Sequence, residues 1–514
     1  MRPFPEYDSY DALGLAELVR KREVGADELC EEAIRHIERI NPEINAVILQ
    51  RFDSARKAAR GKLKEGPFSG VPFLTRDLLT SYSGIPQTAG AGKGCEPDDN
   101  CELMRRYMAT GVIVLGETNT PESCLAACTG PLSNGRTRNP WSRDHEPGGT
   151  SGGSAAAVAS GMVPMASGSD ACGSLRIPAS CCGLFGLKPT RGRTPTGPNH
   201  GELWQGALAE HVVTRTVRDS AAMLDAVQGA DIGAPYVIPG PEHSYLEELK
   251  KEPGTLRIAF TTRSPLGTEV HPECRAAVEN AAHLLMSLGH TVEEAEPDID
   301  GSAMAKSFFM LSFGETSADI SELKSVLGRK PVAADLEDAA WVFKLLGDSF
   351  SAGDFVLSMR RWNTFARRMG LFLKKYDLYL TPTLATPPAR IGEARHKPLE
   401  SLLIKIVGQF SKASFTTMSA IIDEFAVESL AGNPFTPIAN IAGLPAMSVP
   451  LHWTATGLPC GVQLIGPFGG EAALFKLAAQ LENARPWFAR RPYVAMREKR
   501  LPGNTRMRVQ SWGN

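Results

Sequence analysis

No stretch of this sequence approaches the run of about 18 apolar residues that a membrane-spanning helix needs. The opening residues, MRPFPEYDSYD, have neither the basic start nor the apolar stretch of a secretory leader, so the expected location is the cytoplasm. Charge of one sign is not in excess: 55 Lys and Arg stand against 57 Asp and Glu, a formal net charge of -2. That balance gives no electrostatic case for nucleic acid or for an anionic membrane surface. Ten cysteines are scattered without a CxxC pair, which points to reduced, buried thiols rather than a zinc or redox site. No His/Cys cluster has metal-ligand spacing and no nucleotide-binding fingerprint is present, so neither metal nor organic cofactor is expected. What remains is an ordinary globular composition, 43% hydrophobic and 22% charged, over 514 residues, enough to bury a large core.

The informative stretch runs from Pro147 to Thr190. Two glycine-rich turns, Gly148-Gly149-Thr150-Ser151-Gly152-Gly153 and Gly168-Ser169-Asp170-Ala171-Cys172-Gly173, flank a small-residue run from Ser154 to Gly161. Each turn leads into a serine, Ser154 and Ser174. The Ala-rich run reads as a short helix whose N-terminal N–H groups face the first turn. Glycines there let main chain approach another group closely. Hydroxyls and backbone donors gathered in this way suit a group that develops negative charge.

These residues resemble the amidase signature family, serine hydrolases that cleave amides with a Ser–cis-Ser–Lys triad. The matching positions are Gly148, Gly149, Ser151 to Val158, Gly168 to Asp170, Gly173, Ser174, Arg176, Pro178, Ala179, Cys182 and Gly183, continuing through Gly186 to Thr190 and Arg193. The likeness extends over roughly residues 10–490. It takes in Gly70-Val71-Pro72, Gly116 to Glu122, Ser133 to Trp141, the LTPTLATPP segment from Leu380, Asn433 to Ala446, and Gly461 to Gly466. The fold it implies is α/β, a large mixed sheet covered by helices on both faces.

The rest of the chain divides without a linker or internal repeat. Residues 1–60 read as an N-terminal helical layer. Leu15, Leu18 and Val19 form one stripe and Leu29, Ala33, Ile37 and Ile40 another; Asp27 is placed as the cap of the second helix and Asn41-Pro42 as its stop. Residues 61–495 form one core domain. Strands are expected at 70–78, 112–116, 256–260 and 378–383, with another beginning at Thr291-Val292; a helix opens at Thr214 to Asp219, and another spans Pro272 to Leu288. Helices near 300–375 and an amphipathic segment within 398–430, carrying Leu402, Leu403, Ile406, Val407 and Phe410, are the variable parts. The resemblance puts the first of these, with Met304, Phe308, Phe309, Met310 and Phe313, near an acyl pocket. Residues 496–514 read as a flexible tail.

Amide hydrolysis needs a nucleophile, a proton carrier and donors for an oxyanion. The resemblance implies Ser174 as nucleophile and Thr150, 24 residues earlier, at the place of the bridging serine. It implies an oxyanion hole of backbone N–H groups from Ala171, Cys172, Gly173 and Ser174. Ser151, Asp170 and Arg176 support the site, Asp170 as a structural partner of Arg176. The family's lysine base falls on Arg76, and a guanidinium does not give up its proton in proteins. Neither His145 nor Asp170 is a convincing substitute base. Ala171-Cys172 also replaces a Thr-Gly pair. If the replaced glycine needs positive φ, Cys172 is strained; its thiol is a conceivable alternative nucleophile.

The resulting reading is an amidase-type hydrolase forming a Ser174 acyl-enzyme on a small-molecule amide, or a related ester or carbamate, with reduced or altered activity. Two alternatives stand beside it: an impaired amidase-like binding protein, and the A subunit of a tRNA-dependent amidotransferase. A homodimer is left open.

Overall fold

Runs of Val, Ile, Leu and Phe bounded by Gly and Pro build eleven strands that share one mixed sheet. The computed structural model describes residues 3–76, 100–121, 133–393 and 415–496. In chain order the strands are β1 Val47–Gln50, β2 Pro72–Arg76, β3 Ile113–Thr118, β4 Met165–Asp170, β5 Phe185–Lys188, β6 Ala209–Thr214, β7 Arg257–Phe260, β8 Thr291–Glu294, β9 Leu378–Pro382, β10 Ala446–Trp453 and β11 Pro459–Ile465. Across the sheet they lie β1-β3-β2-β4-β6-β5-β10-β11-β9-β7-β8. Strand β2 runs parallel to both β3 and β4, and β7 parallel to both β8 and β9; the remaining pairs are antiparallel. Every residue of β2, β3, β4 and β11 is buried, as expected of strands covered on both faces. The register of β10 against β11 shifts between Val449 and His452, where Pro450 removes a ladder donor.

Helices cover the sheet: α1 Ala12–Lys21, α2 Ala26–Ile44, α3 Phe52–Arg60, α4 Glu102–Ala109, α5 Gly152–Ala159, α6 Arg176–Cys182, α7 Val217–Val227, α8 Tyr245–Glu248 and α9 Pro272–Ser287. There follow α10 Gly301–Leu327, α11 Asp338–Ser349, α12 Ala352–Phe372, α13 Phe415–Leu430, α14 Pro437–Ala442, α15 Glu471–Ala484 and α16 Tyr493–Met496. The helix expected to open at Thr214 to Asp219 is α7, and the structure adds its cap, the Thr216 hydroxyl accepting from the Asp219 N–H. The amphipathic residues Leu402 to Phe410 and the tail beyond Met496 lie outside the described residues.

The N-terminal layer departs from the sequence reading in three places. Strand β1 interrupts the helices, because Val47 to Gln50 pairs with β3. The second helix is capped at Gly25, not Asp27, which lies in its first turn. Pro42 does not stop α2; the helix continues to Ile44 and ends at left-handed Asn45. Proline costs one hydrogen bond there, and the neighbouring Asn41 carboxamide gathers the chain after the helix by accepting from the Ala46 and Val47 N–H groups.

Two packing units frame the glycine turns and the helices beside them. Strands β2 and β4 are parallel neighbours, with Leu74 beside Ala166; Arg76 at the end of β2 reaches Thr150 of the first glycine turn, and β4 runs into the second. A core cluster rich in aromatics forms where α10, α11, α12 and α13 pack, with Phe309, Phe313, Phe343 and Phe425 in edge-to-face contact.

Candidate active site

The first glycine turn caps α5, and the second links β4 to α6. The two turns meet because Gly149, at φ 64, has no side chain: a Cβ there would sit 2.9 Å from Pro178 Cδ and 3.4 Å from Ser174 Cα. The left-handed conformation in the second turn falls on Gly173, at φ 112, and not on Cys172. The strain expected at Cys172 is therefore absent, since the residue that needs positive φ is still glycine.

Thr150 is buried beside this junction, and its hydroxyl accepts a hydrogen bond from Arg76 Nη1 at 3.1 Å. Arg76 ends β2, is fully buried, and anchors its own backbone N–H on the Ser167 hydroxyl at 2.9 Å. Strand pairing fixes it: Arg76 lies opposite Thr118 of β3, whose hydroxyl bonds Ser154 of α5, so both side chains face the same helix. Gly197–Pro198 is the cis peptide among the described residues, so Thr150 follows Gly149 through a trans bond, unlike the cis-serine the resemblance implies. The direction of the turn comes from left-handed Gly148 and Gly149.

Ser174 is half-buried at the end of the second turn. Of the four N–H groups expected to face an oxyanion, that of Gly173 donates to Asp170 Oδ1 at 2.7 Å and so is already engaged. Those of Ala171, Cys172 and Ser174 have no acceptor among the described residues. Ser151 ties the turns together, accepting from the Ser169 N–H at 3.2 Å and donating to the Ser169 carbonyl at 3.3 Å.

Beneath the turn lies a fully buried ion pair. Arg176 donates from Nε and Nη2 to the two Asp170 oxygens, each at 2.8 Å. The Asp170 carboxylate also accepts from the Leu175 N–H and from Asn440 Nδ2. Burial opposes its charge, but Arg176 and Asn440 outweigh that and hold Asp170 at about 2. Such a carboxylate is a structural anchor and a poor proton acceptor. His145 shares a hydrogen bond with Ser142 and pairs with Arg390; burial, with Arg390 nearby, lowers its pKa. Among the described residues it makes no hydrogen bond or ion pair with Arg76, Thr150 or Ser174. Burial pushes the Cys172 thiol well up, with the Asp170 charge adding to it, which disfavours a thiolate.

The sequence reading missed Asn440, Gln463 and Thr436. Asn440 Oδ1 and Gln463 Oε1 accept from Arg176, and the Thr436 hydroxyl donates to the Cys172 carbonyl at 2.7 Å. They lie more than 250 residues from the turn, on segments whose spacing carries no signal of that contact. Among the described residues no group of His, Cys, Asp and Glu is arranged to hold a metal ion, and no helix is long and apolar enough to cross a membrane.

A serine beside backbone donors that have no acceptor among the described residues is the arrangement that acyl transfer needs. The chain belongs to the amidase family, whose pattern matches residues 28–475. It is 36% identical to a 6-aminohexanoate-cyclic-dimer hydrolase of Paenarthrobacter ureafaciens over 96% of this chain and 98% of that one. The solved structure of a 6-aminohexanoate cyclic dimer hydrolase complexed with substrate superposes with a TM-score of 0.85, at 35% identity, covering 96% of this chain and all of the other. A bacterial aryl acylamidase of the amidase signature family gives a TM-score of 0.78 at 25% identity, covering 93% of this chain and 97% of the other. The mixed α/β fold and amide-hydrolase class read from the glycine turns are those of its relatives.

Proposed function

We propose that this chain hydrolyses the C–N bond of a small-molecule amide, or a related ester or carbamate, through an acyl-enzyme on Ser174. The observation that carries this reading is Ser174 on a turn whose Ala171, Cys172 and Ser174 N–H groups have no acceptor among the described residues. Ser174 Oγ attacks the carbonyl carbon, and the carbonyl oxygen, gaining negative charge, is received by those donors. The Ser174 proton passes to Thr150 as the Thr150 proton passes to the departing nitrogen. The C–N bond breaks and an ester on Ser174 remains. Water then attacks the ester, releasing the acid and restoring Ser174.

Arg76 acts here as a fixed cation. Its Nη1 bond to Thr150 orients the relay hydroxyl, leaving the Thr150 proton for donation, and its charge favours an oxygen with alkoxide character. It does not take the proton away. Turnover without a positioned base is slower by on the order of 10²–10⁴-fold.

The cyclic amide dimer for which the relative is named is the first substrate to test, beside a panel of anilides and carbamates. A fluorophosphonate probe supplies the direct test: mass spectrometry finds it on the peptide holding Ser174, and Ser174→Ala abolishes both label and turnover. Absence of label and turnover in the parent chain would move the second reading ahead, an amidase-like protein that binds amides without cleaving them. An arginine behind Thr150, where the family has a lysine, is what favours that second reading.

A further inference from the structure

Two consecutive non-glycine residues, Trp204 and Gln205, have left-handed backbone (φ 53 and φ 49), and Gly206 extends the turn at φ 73. A tryptophan at positive φ is a genuine outlier, because its Cβ crowds the backbone, and glycine would relieve it. The turn persists because its surroundings over-determine it. Its own N–H groups close it, Gly206 onto the Leu203 carbonyl and Ala207 onto the Trp204 carbonyl. From outside, Arg191 Nε donates to the Gly206 carbonyl at 2.7 Å and Asn440 Nδ2 to the Ala207 carbonyl at 3.0 Å.

This distortion delivers two side chains to α10. The indole of Trp204 lies over Phe308, with centroids 6.3 Å apart and planes tilted by 36°. The Gln205 carboxamide hydrogen-bonds Glu315, a carboxyl raised by burial and further by Glu202. Phe308 and Glu315 are seven residues apart, two turns along one helix face, so the turn is seated on α10 at two points. The same carboxamide that holds the turn, Asn440 Nδ2, also donates to the Asp170 carbonyl at 2.8 Å, immediately before the oxyanion donors. Cys172, on that donor turn, and Trp204 are both half-buried and both pack on the same core cluster, to which α10 and α13 contribute their phenylalanines.

From this we infer that Trp204 is a specificity-determining residue: with Cys172 and Phe308 it forms an apolar wall beside the oxyanion donors that selects a flat aryl group on the acyl side of the scissile bond. The inference rests on the acyl-enzyme reading for the placing of the carbonyl. The chemistry is that of an aromatic edge and face meeting another ring, with the polarizable Cys172 sulfur alongside. Backbone strain retained under a bulky side chain is what a selected position shows, because a glycine turn would seat the chain at lower cost.

The test measures binding, so that it does not depend on turnover. Ser174→Ala protein is titrated with N-butylbenzamide and N-butylacetamide, which share the amine and differ in the acyl group. The benzamide is expected to bind at least about tenfold more tightly, and Trp204→Ala to erase that preference while leaving the acetamide within about twofold. Trp204→Phe, which keeps a ring, should retain most of the preference. Equal loss for both amides, an unchanged ratio in Trp204→Ala, or no saturable binding of either amide overturns the inference. If Trp204→Ala does not fold, Trp204→Leu against Trp204→Phe decides: equal selectivity in the two overturns it. A parent chain that selects the benzamide but never turns over would refute the hydrolase reading alone.

Discussion

Arg76 and Thr150 are joined by a single hydrogen bond, 3.1 Å from guanidinium to hydroxyl, inside a fully buried site. The bond has a direction. Arginine has five donors and no acceptor, so Thr150 receives from it and cannot return a proton to it. On the acyl-enzyme reading proposed above, the pair orients the relay hydroxyl and fixes charge beside it without supplying a base.

Replacing Arg76 by lysine therefore restores a group that can be deprotonated when buried. Arg76→Lys is expected to raise kcat by roughly 10²-fold or more on a good amide substrate. It should also give kcat/KM an acid limb that the parent lacks, since a guanidinium does not titrate in that range. Steady-state kinetics of both proteins across neutral and alkaline pH check this; equal rates and profiles would mean that another group already carries the proton.

The raised thiol at Cys172 makes a second outcome definite. Cys172→Ala should keep turnover within about threefold, and iodoacetamide at neutral pH should leave activity intact, because the thiolate is scarce there. A loss of about 10²-fold in the alanine variant would reassign the nucleophile.

Asp170 and Arg176 form the support for the donor turn, and breaking one side leaves a buried charge. Asp170→Asn is expected to destabilise the fold by about 3–5 kcal/mol in urea unfolding. In the parent, the folded-state value of about 2 lies below the unfolded value of about 3.9. The stabilisation is thus complete above about pH 4 and lost as pH falls through about 2, a difference of about 2–3 kcal/mol. An acid-unfolding curve with the same slope in parent and variant over that window would refute the assignment.

Lys188 behaves in the opposite sense. It ends β5 fully buried, donates from Nζ to the Pro189 carbonyl at 2.7 Å, and is brought down to about 7 by burial, with the Arg176 charge next in effect. Between about pH 7 and 10 the unfolded chain holds this proton and the folded one does not, so the Lys188 contribution to stability rises with pH. The stability difference between parent and Lys188→Met should shift by about 2–3 kcal/mol in favour of the parent from about pH 7.5 to about pH 9.5, read from paired urea midpoints. A constant difference would show that Lys188 keeps its charge in the fold.

The class of this protein follows from short stretches of the chain. The two glycine turns, the Ala-rich helix between them and Ser174 are local features, and local steric rules make such features legible: positive-φ glycines, a helix N-terminus and strands read from apolar runs. What no local rule gives is which distant groups meet. Only the folded chain brings Asn440 and Gln463 onto Arg176, engages the Gly173 N–H with Asp170 while its neighbours keep theirs, and moves the positive φ from Cys172 to Gly173. It also extends α2 past Pro42 and inserts β1 into a stretch that reads as helix, because pairing with β3 outweighs local preference. The strained turn under Trp204 leaves no trace in the sequence at all, since its conformation is imposed by Arg191, Asn440 and α10 from outside. Sequence specified the chemistry on offer; long-range packing decided which atoms face one another.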